Sequence, residues 1–183
     1  MGSILSSLTS LNRLIADRPR PGTSAASLTL SSLGLDCPAD LSALYGLIDG
    51  FDTPSSAPIG DITLFPGYYM LSLDEAVETY RSISADKQWD RRWFPFLASG
   101  GGDFYAVICD EPSRDHGAVV GFLLGEPEQT VEFSTIGAML ETISAAYSES
   151  VFYLTGNHHL EADYPKMREI ARRVQPEFVE YVA

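Results

Sequence analysis

Basic residues are scarce in this chain and unevenly placed. Of 183 residues, 12 are Lys or Arg against 25 Asp or Glu, a net charge of −13. The cations fall in islands at 13–20, 81–92, position 114 and 166–173. Phosphate backbones are held by clustered Lys and Arg that release counterions, so this distribution argues against nucleic-acid binding. Cysteine is nearly absent: Cys37 and Cys109 make no disulfide framework and fit a reducing compartment. Long apolar runs are missing too. The longest uncharged one covers residues 118–125, whereas a membrane-spanning helix needs about 20 residues. No basic stretch followed by an apolar core opens the chain, so no secretory signal is read and a cytoplasmic location is expected. The first six residues satisfy the loose myristoylation pattern, but no polybasic second anchor follows.

What is present is a globular composition, 45% hydrophobic and 20% charged, with a length suited to one domain and a full core. Residues 4–16 place apolar side chains three and four apart and predict an N-terminal helix; the Arg18-Pro19-Arg20-Pro21-Gly22 stretch reads as a linker. A second helical or mixed segment covers Leu28 to Leu35. The Cys37-Pro38-Ala39-Asp40 stretch opens a clearer helix burying Leu41, Leu44, Tyr45 and Ile48 and ending at Asp49-Gly50. A loop over 53–60, a strand over 62–65 and an extended piece over 67–71 follow. Ser72 with Glu75 is a capping box, predicting a helix over 73–84 that buries Leu73, Ala76, Val77 and Tyr80. The runs 104–109, 119–124 and 130–133 are aromatic and β-branched and separated by turns, which predicts an antiparallel meander. Ser134 is read as the cap of a helix to Tyr147, residues 151–154 as a last strand, and 163–174 as a basic-faced helix. Helices first, strands next and helices last predict an α+β fold: a single domain with one central, mostly antiparallel sheet and helices packed on it.

Tests for chemistry return little. No phosphate-loop or dinucleotide pattern can be read around Gly100-Gly101-Gly102, no nucleophile elbow exists, and His116, His158 and His159 lack metal-ligand spacing. Asp110, Glu111 and Asp115 surround a turn without the pattern of a calcium loop. Neither cysteine has a basic neighbour that would activate it. Trp93, Phe96, Phe104 and Tyr105 read as structural. These residues point to no catalysis, no metal and no cofactor.

The order of segments is more informative. Leu35-Asp36-Cys37-Pro38-Ala39-Asp40-Leu41 with Asp49-Gly50-Phe51, then Leu64-Phe65-Pro66-Gly67-Tyr68-Tyr69-Met70-Leu71-Ser72-Leu73-Asp74-Glu75-Ala76, then Trp89 to Phe96 with Gly101-Gly102-Asp103-Phe104-Tyr105, then His116-Gly117-Ala118-Val119 and Val131-Glu132-Phe133-Ser134, resembles the SUKH superfamily, the Smi/Knr-like proteins. The resemblance covers roughly residues 27–154, leaving an N-terminal helix and linker (1–26) and a C-terminal helical extension (155–183) packed on the same domain. Cys37 and Phe94 depart from the family's usual apolar residues at those places.

The resemblance implies a non-enzymatic protein, in many bacterial members an immunity protein that binds and neutralises a polymorphic toxin; other members are regulatory or scaffold interaction proteins. The acidic balance suits a cationic, nuclease-like toxin as the partner, with neither nucleic acid nor membrane as an alternative partner. Eight carboxylates lie between Pro21 and Tyr80 without a single Lys or Arg. Asp49, Asp52 and Asp61 in that stretch, together with Asp103, Asp110, Glu111 and Glu126 at the turns beside strands, are the candidate partner-binding residues. If they share one rim, reversing Asp49, Asp52 and Asp103 to Lys should slow association and leave the melting temperature nearly unchanged.

Overall fold

Polar caps start the three longest helices. Helix α5 (Leu73–Ile83) opens on a complete capping box: the Ser72 Oγ accepts from the Glu75 N–H and a Glu75 carboxylate oxygen accepts from the Ser72 N–H. Asp49 adds a third cap by accepting from the Leu73 N–H at 2.6 Å. Helix α6 (Ile136–Ser148) is capped by Thr135, whose hydroxyl accepts from the Ala138 N–H, one residue beyond the predicted Ser134, whose N–H and hydroxyl both donate to the Gln175 side chain. Helix α7 (Tyr164–Val174) begins with the Asp163 side chain accepting from Lys166 and with Pro165 in its first turn.

The computed structural model describes residues 1–178; residues 179–183 of the C-terminal extension lie outside them. Around those three helices stand α1 (Gly2–Ser10), α2 (Ala26–Ser32), α3 (Ala39–Leu47) and the short α4 (Ile59–Ile62). The central sheet has five strands: β3 (Tyr69–Met70), β4 (Trp93–Ala98), β5 (Phe104–Ile108), β6 (Val119–Phe122) and β7 (Thr130–Phe133), hydrogen-bonded in sequence order and antiparallel throughout. The fold is α+β, and the meander is the one the sequence predicts.

Three local expectations are corrected. The stretch read as a linker holds β1 (Pro19–Pro21), which pairs antiparallel with β2 (Ile48–Phe51). Proline's fixed φ suits such an edge strand, and Gly22 is required next to it because a Cβ would run into the Gly46 carbonyl. Helix α3 consequently ends at Leu47, with Asp49 and Gly50 inside β2. Residues 62–65 form no regular strand: they leave α4 and turn through Pro66-Gly67, with a single bridge between Phe65 and Tyr68. Their hydrophobicity serves burial, since Leu64 and Phe65 are in the core and the Tyr147 hydroxyl donates to the Leu64 carbonyl. The strand at 151–154 is half of a hairpin, β8 (Phe152–Leu154) with β9 (Leu160–Ala162).

The sheet buries both faces differently. Phe94, Phe96, Tyr105, Val107, Val119 and Phe133 join the main core beneath the helices. On the other face, Ala106 and Phe122 are covered by Trp89, carried across by the 84–92 connection. Trp89 meets Trp93, Phe104 and Phe122 edge-on with centroids 5.7, 6.0 and 5.0 Å away, the preferred aromatic geometry. Gln88 ties the connection down by donating to the Glu126 carbonyl. At the far edge, the Gln175 amide donates to the Glu132 carbonyl and accepts from Ser134, covering backbone groups of β7 that would otherwise lie open to another strand.

Candidate functional site

The meander puts the β4–β5 and β6–β7 turns at one end of the sheet and the β5–β6 turn at the other. Because β5 has five residues, the two ends stand about 17 Å apart at ~3.3 Å per residue. This separates the sequence-predicted carboxylates. Asp103 and Glu126 share the end that carries the glycine turn, where an Asp103 oxygen accepts from the Leu124 N–H at 3.0 Å. Asp110 and Glu111 lie at the opposite end, with Asp110 paired to Arg92 at 3.1 Å. Asp49 is committed to the start of α5, Asp52 is exposed just past β2, and Asp61 faces the cleft around Arg13.

At the glycine-turn end lies a groove of about 480 Å³ between α5 and the sheet. One wall is the exposed face of α5: Glu75, Glu78, Thr79 and Ser82. The 3.6-residue repeat places these four on one side of the helix. The facing wall is apolar, from Tyr69, Leu71, Ala98 and Phe104, and closes with Gly100 and Gly102. Both glycines hold positive φ, 77° and 103°, and a Cβ on them would meet Ile59 and Leu124 respectively; only glycine allows so tight a turn there. Ile59 and Leu124 are 45% and 56% exposed, so apolar surface rims the groove. No Lys, Arg or His lines the groove among the described residues, nor the adjoining depression beneath the 53–57 loop, which shares Tyr69 and Glu75 with it. Burial, reinforced by Glu75, raises the Tyr69 phenol above its ordinary range, so it remains a neutral donor.

Glu75 and Glu78 escape selection from sequence because the turn carboxylates draw attention first. Helical periodicity across a cation-free stretch is the signal that finds them.

The cations are elsewhere. Arg13 is 6% exposed and acts as a staple: it donates to the carbonyls of Gly60 and His158 and to the Thr63 hydroxyl. This joins the turn after α1 to α4 and to the β8–β9 turn. Arg92 bridges Asp90 and Asp110. Lys166, Arg168, Arg172 and Arg173 are exposed on α7, which touches α6 and leads into Gln175 at the β7 edge, and Arg81 is exposed in the last turn of α5.

A carboxylate is also half-buried on the core side of the sheet. Glu132 accepts from the Tyr105 hydroxyl at 2.7 Å and lies over Gly121, where a Cβ would collide with it. Burial raises the Glu132 carboxyl above its usual range, with the Tyr105 hydrogen bond opposing. Tyr68, stacked on Phe65 and edge-on to Tyr105, is pushed up to about 12, by burial first and by the Asp103 and Glu132 charges next.

Among the described residues no group of three or more His, Cys, Asp and Glu is placed to hold a metal ion, and no helix is long and apolar enough to cross a membrane. A search of curated proteins found none that matches. Residues 30–142 do match a family model, and they hold α3, α5, the whole meander, the glycine turn and the groove. With more than half of its length so matched, the chain belongs to the SMI1 / KNR4 family (SUKH-1).

Proposed function

We propose that this protein is a non-enzymatic, cytoplasmic immunity protein that binds a cognate cationic, nuclease-like toxin and covers its active surface. The observation that carries this reading is the groove beside α5: two carboxylates, two hydroxyls and an exposed apolar rim, with no basic group along either wall. Such a surface suits a cationic partner and speeds its approach. Membership of a family that includes immunity proteins supports the same reading. The binding face we propose consists of Glu75, Glu78, Asp103 and Glu126, with Asp49 and Asp52 beyond the α5 start and Asp61, Asp110 and Glu111 outside the main contact.

The test is co-purification with, and inhibition of, a toxin encoded directly beside the gene. Glu78→Lys combined with Glu126→Lys should weaken the complex and leave folding intact, since neither carboxylate makes a described side-chain hydrogen bond or ion pair. Failure of the wild-type chain to bind such a toxin would sink the reading and leave a regulatory or scaffold role of the Smi/Knr type.

A further inference from the structure

We infer that the groove beside α5 takes an extended segment of the partner in which basic and apolar side chains alternate; this rests on the binding role proposed above. The two walls differ in chemistry. The α5 wall presents acceptors: Glu78, the Glu75 oxygen left free by the capping box, and the hydroxyls of Thr79 and Ser82. The sheet wall presents Tyr69, Leu71, Ala98 and Phe104 and offers no charge. Successive side chains of an extended chain point to opposite faces, so a basic/apolar alternation satisfies both walls at once. A helix of the same composition would present one mixed stripe and leave one wall unmatched. The volume, about 480 Å³, falls within the range of pockets that enclose a few side chains.

The experiment uses the full chain, ¹⁵N-labelled, with three synthetic heptapeptides as probes: alternating Arg/Val, the same composition with its arginines in one block, and alternating Glu/Val. The alternating Arg/Val peptide should shift the amide signals of Thr79, Ser82 and Gly100 to Gly102, and the other two should not. Thr79→Arg fills the groove with a cation and Glu78→Arg reverses its wall; each should weaken that peptide by about tenfold or more, the loss of one charge-assisted contact. Asp115→Arg, the same charge change as Glu78→Arg on an exposed residue at the opposite end of the sheet, should leave binding unchanged. Equal weakening by Glu78→Arg and Asp115→Arg would mean that net charge alone attracts the peptide and would overturn the inference. So would binding of the blocked peptide, shifts confined to another surface, or no shifts at all. The cognate toxin separates this from the broader reading. A toxin bound equally by wild type and Thr79→Arg removes the groove but keeps immunity. A peptide bound as described, with no neighbouring toxin neutralised, keeps the groove and removes immunity.

Discussion

Single residues here divide by what their polar atoms are already doing. Glu132 shows it for stability. Its carboxyl is held above the ordinary range by burial, so the fold favours the protonated form. The contribution is therefore fully present below the unfolded value, about 4.3, and is lost as pH rises through the folded value. Glu132→Gln keeps an acceptor for the Tyr105 hydroxyl and removes the half-buried charge. The variant should melt higher than wild type at pH 7–8, and the gap should vanish near pH 4 in thermal scans. A gap that persists at pH 4 would mean that the carboxylate charge is not the cause. Phe96 makes the complementary point about packing: it is 1% exposed within the main core, so Phe96→Ala should cost about 3–5 kcal/mol by chemical denaturation.

At the scale of elements, α5 joins structure and site. Its first turn is held by Ser72, Glu75 and Asp49, while the next two turns supply Glu78, Thr79 and Ser82 to the groove. Asp49→Ala should lower stability by about 1 kcal/mol, as other cap losses do, and should change partner affinity little. Reversal to Lys is worse, because it sets a cation against the positive end of the helix. Asp103 is similar, since its oxygen holds the Leu124 N–H. A triple reversal of Asp49, Asp52 and Asp103 thus reports on folding as well as binding, contrary to the expectation from sequence that the melting temperature would hold. Glu78 and Glu126 are the cleaner probes.

At the scale of the whole molecule, no Lys or Arg among the described residues lines the groove beside α5, although Arg81 is exposed in the last turn of that helix. The exposed cations Lys166, Arg168, Arg172 and Arg173 are carried by α7, which packs on α6. An arriving cationic partner meets Glu75 and Glu78 at the groove wall, and their attraction is screened over a Debye length of roughly 8 Å at physiological salt. Association with the toxin should slow several-fold between about 20 and 200 mM salt, with a smaller change in dissociation rate. Stopped-flow mixing checks this; an association rate indifferent to salt would remove electrostatic steering from the account.

Local sequence determined much of this protein. The capping box of α5, the alternation and turns of the meander, and the buried set Leu41, Leu44, Tyr45 and Ile48 are all legible because each depends on neighbours in the chain. So is the family, through segments in a recognisable order. Tertiary structure alone decided what depends on distant partners. Pro19–Pro21 became a strand because β2 offers it an edge, and Ser134 left the capping place to Thr135 while its hydroxyl and N–H turn to Gln175. Arg13 became a staple because three remote acceptors surround it. The site follows the same rule. The carboxylates are evident in the sequence, but which of them share a surface is set by strand order and antiparallel direction, which send Asp103 and Glu126 to one end of the sheet and Asp110 and Glu111 to the other.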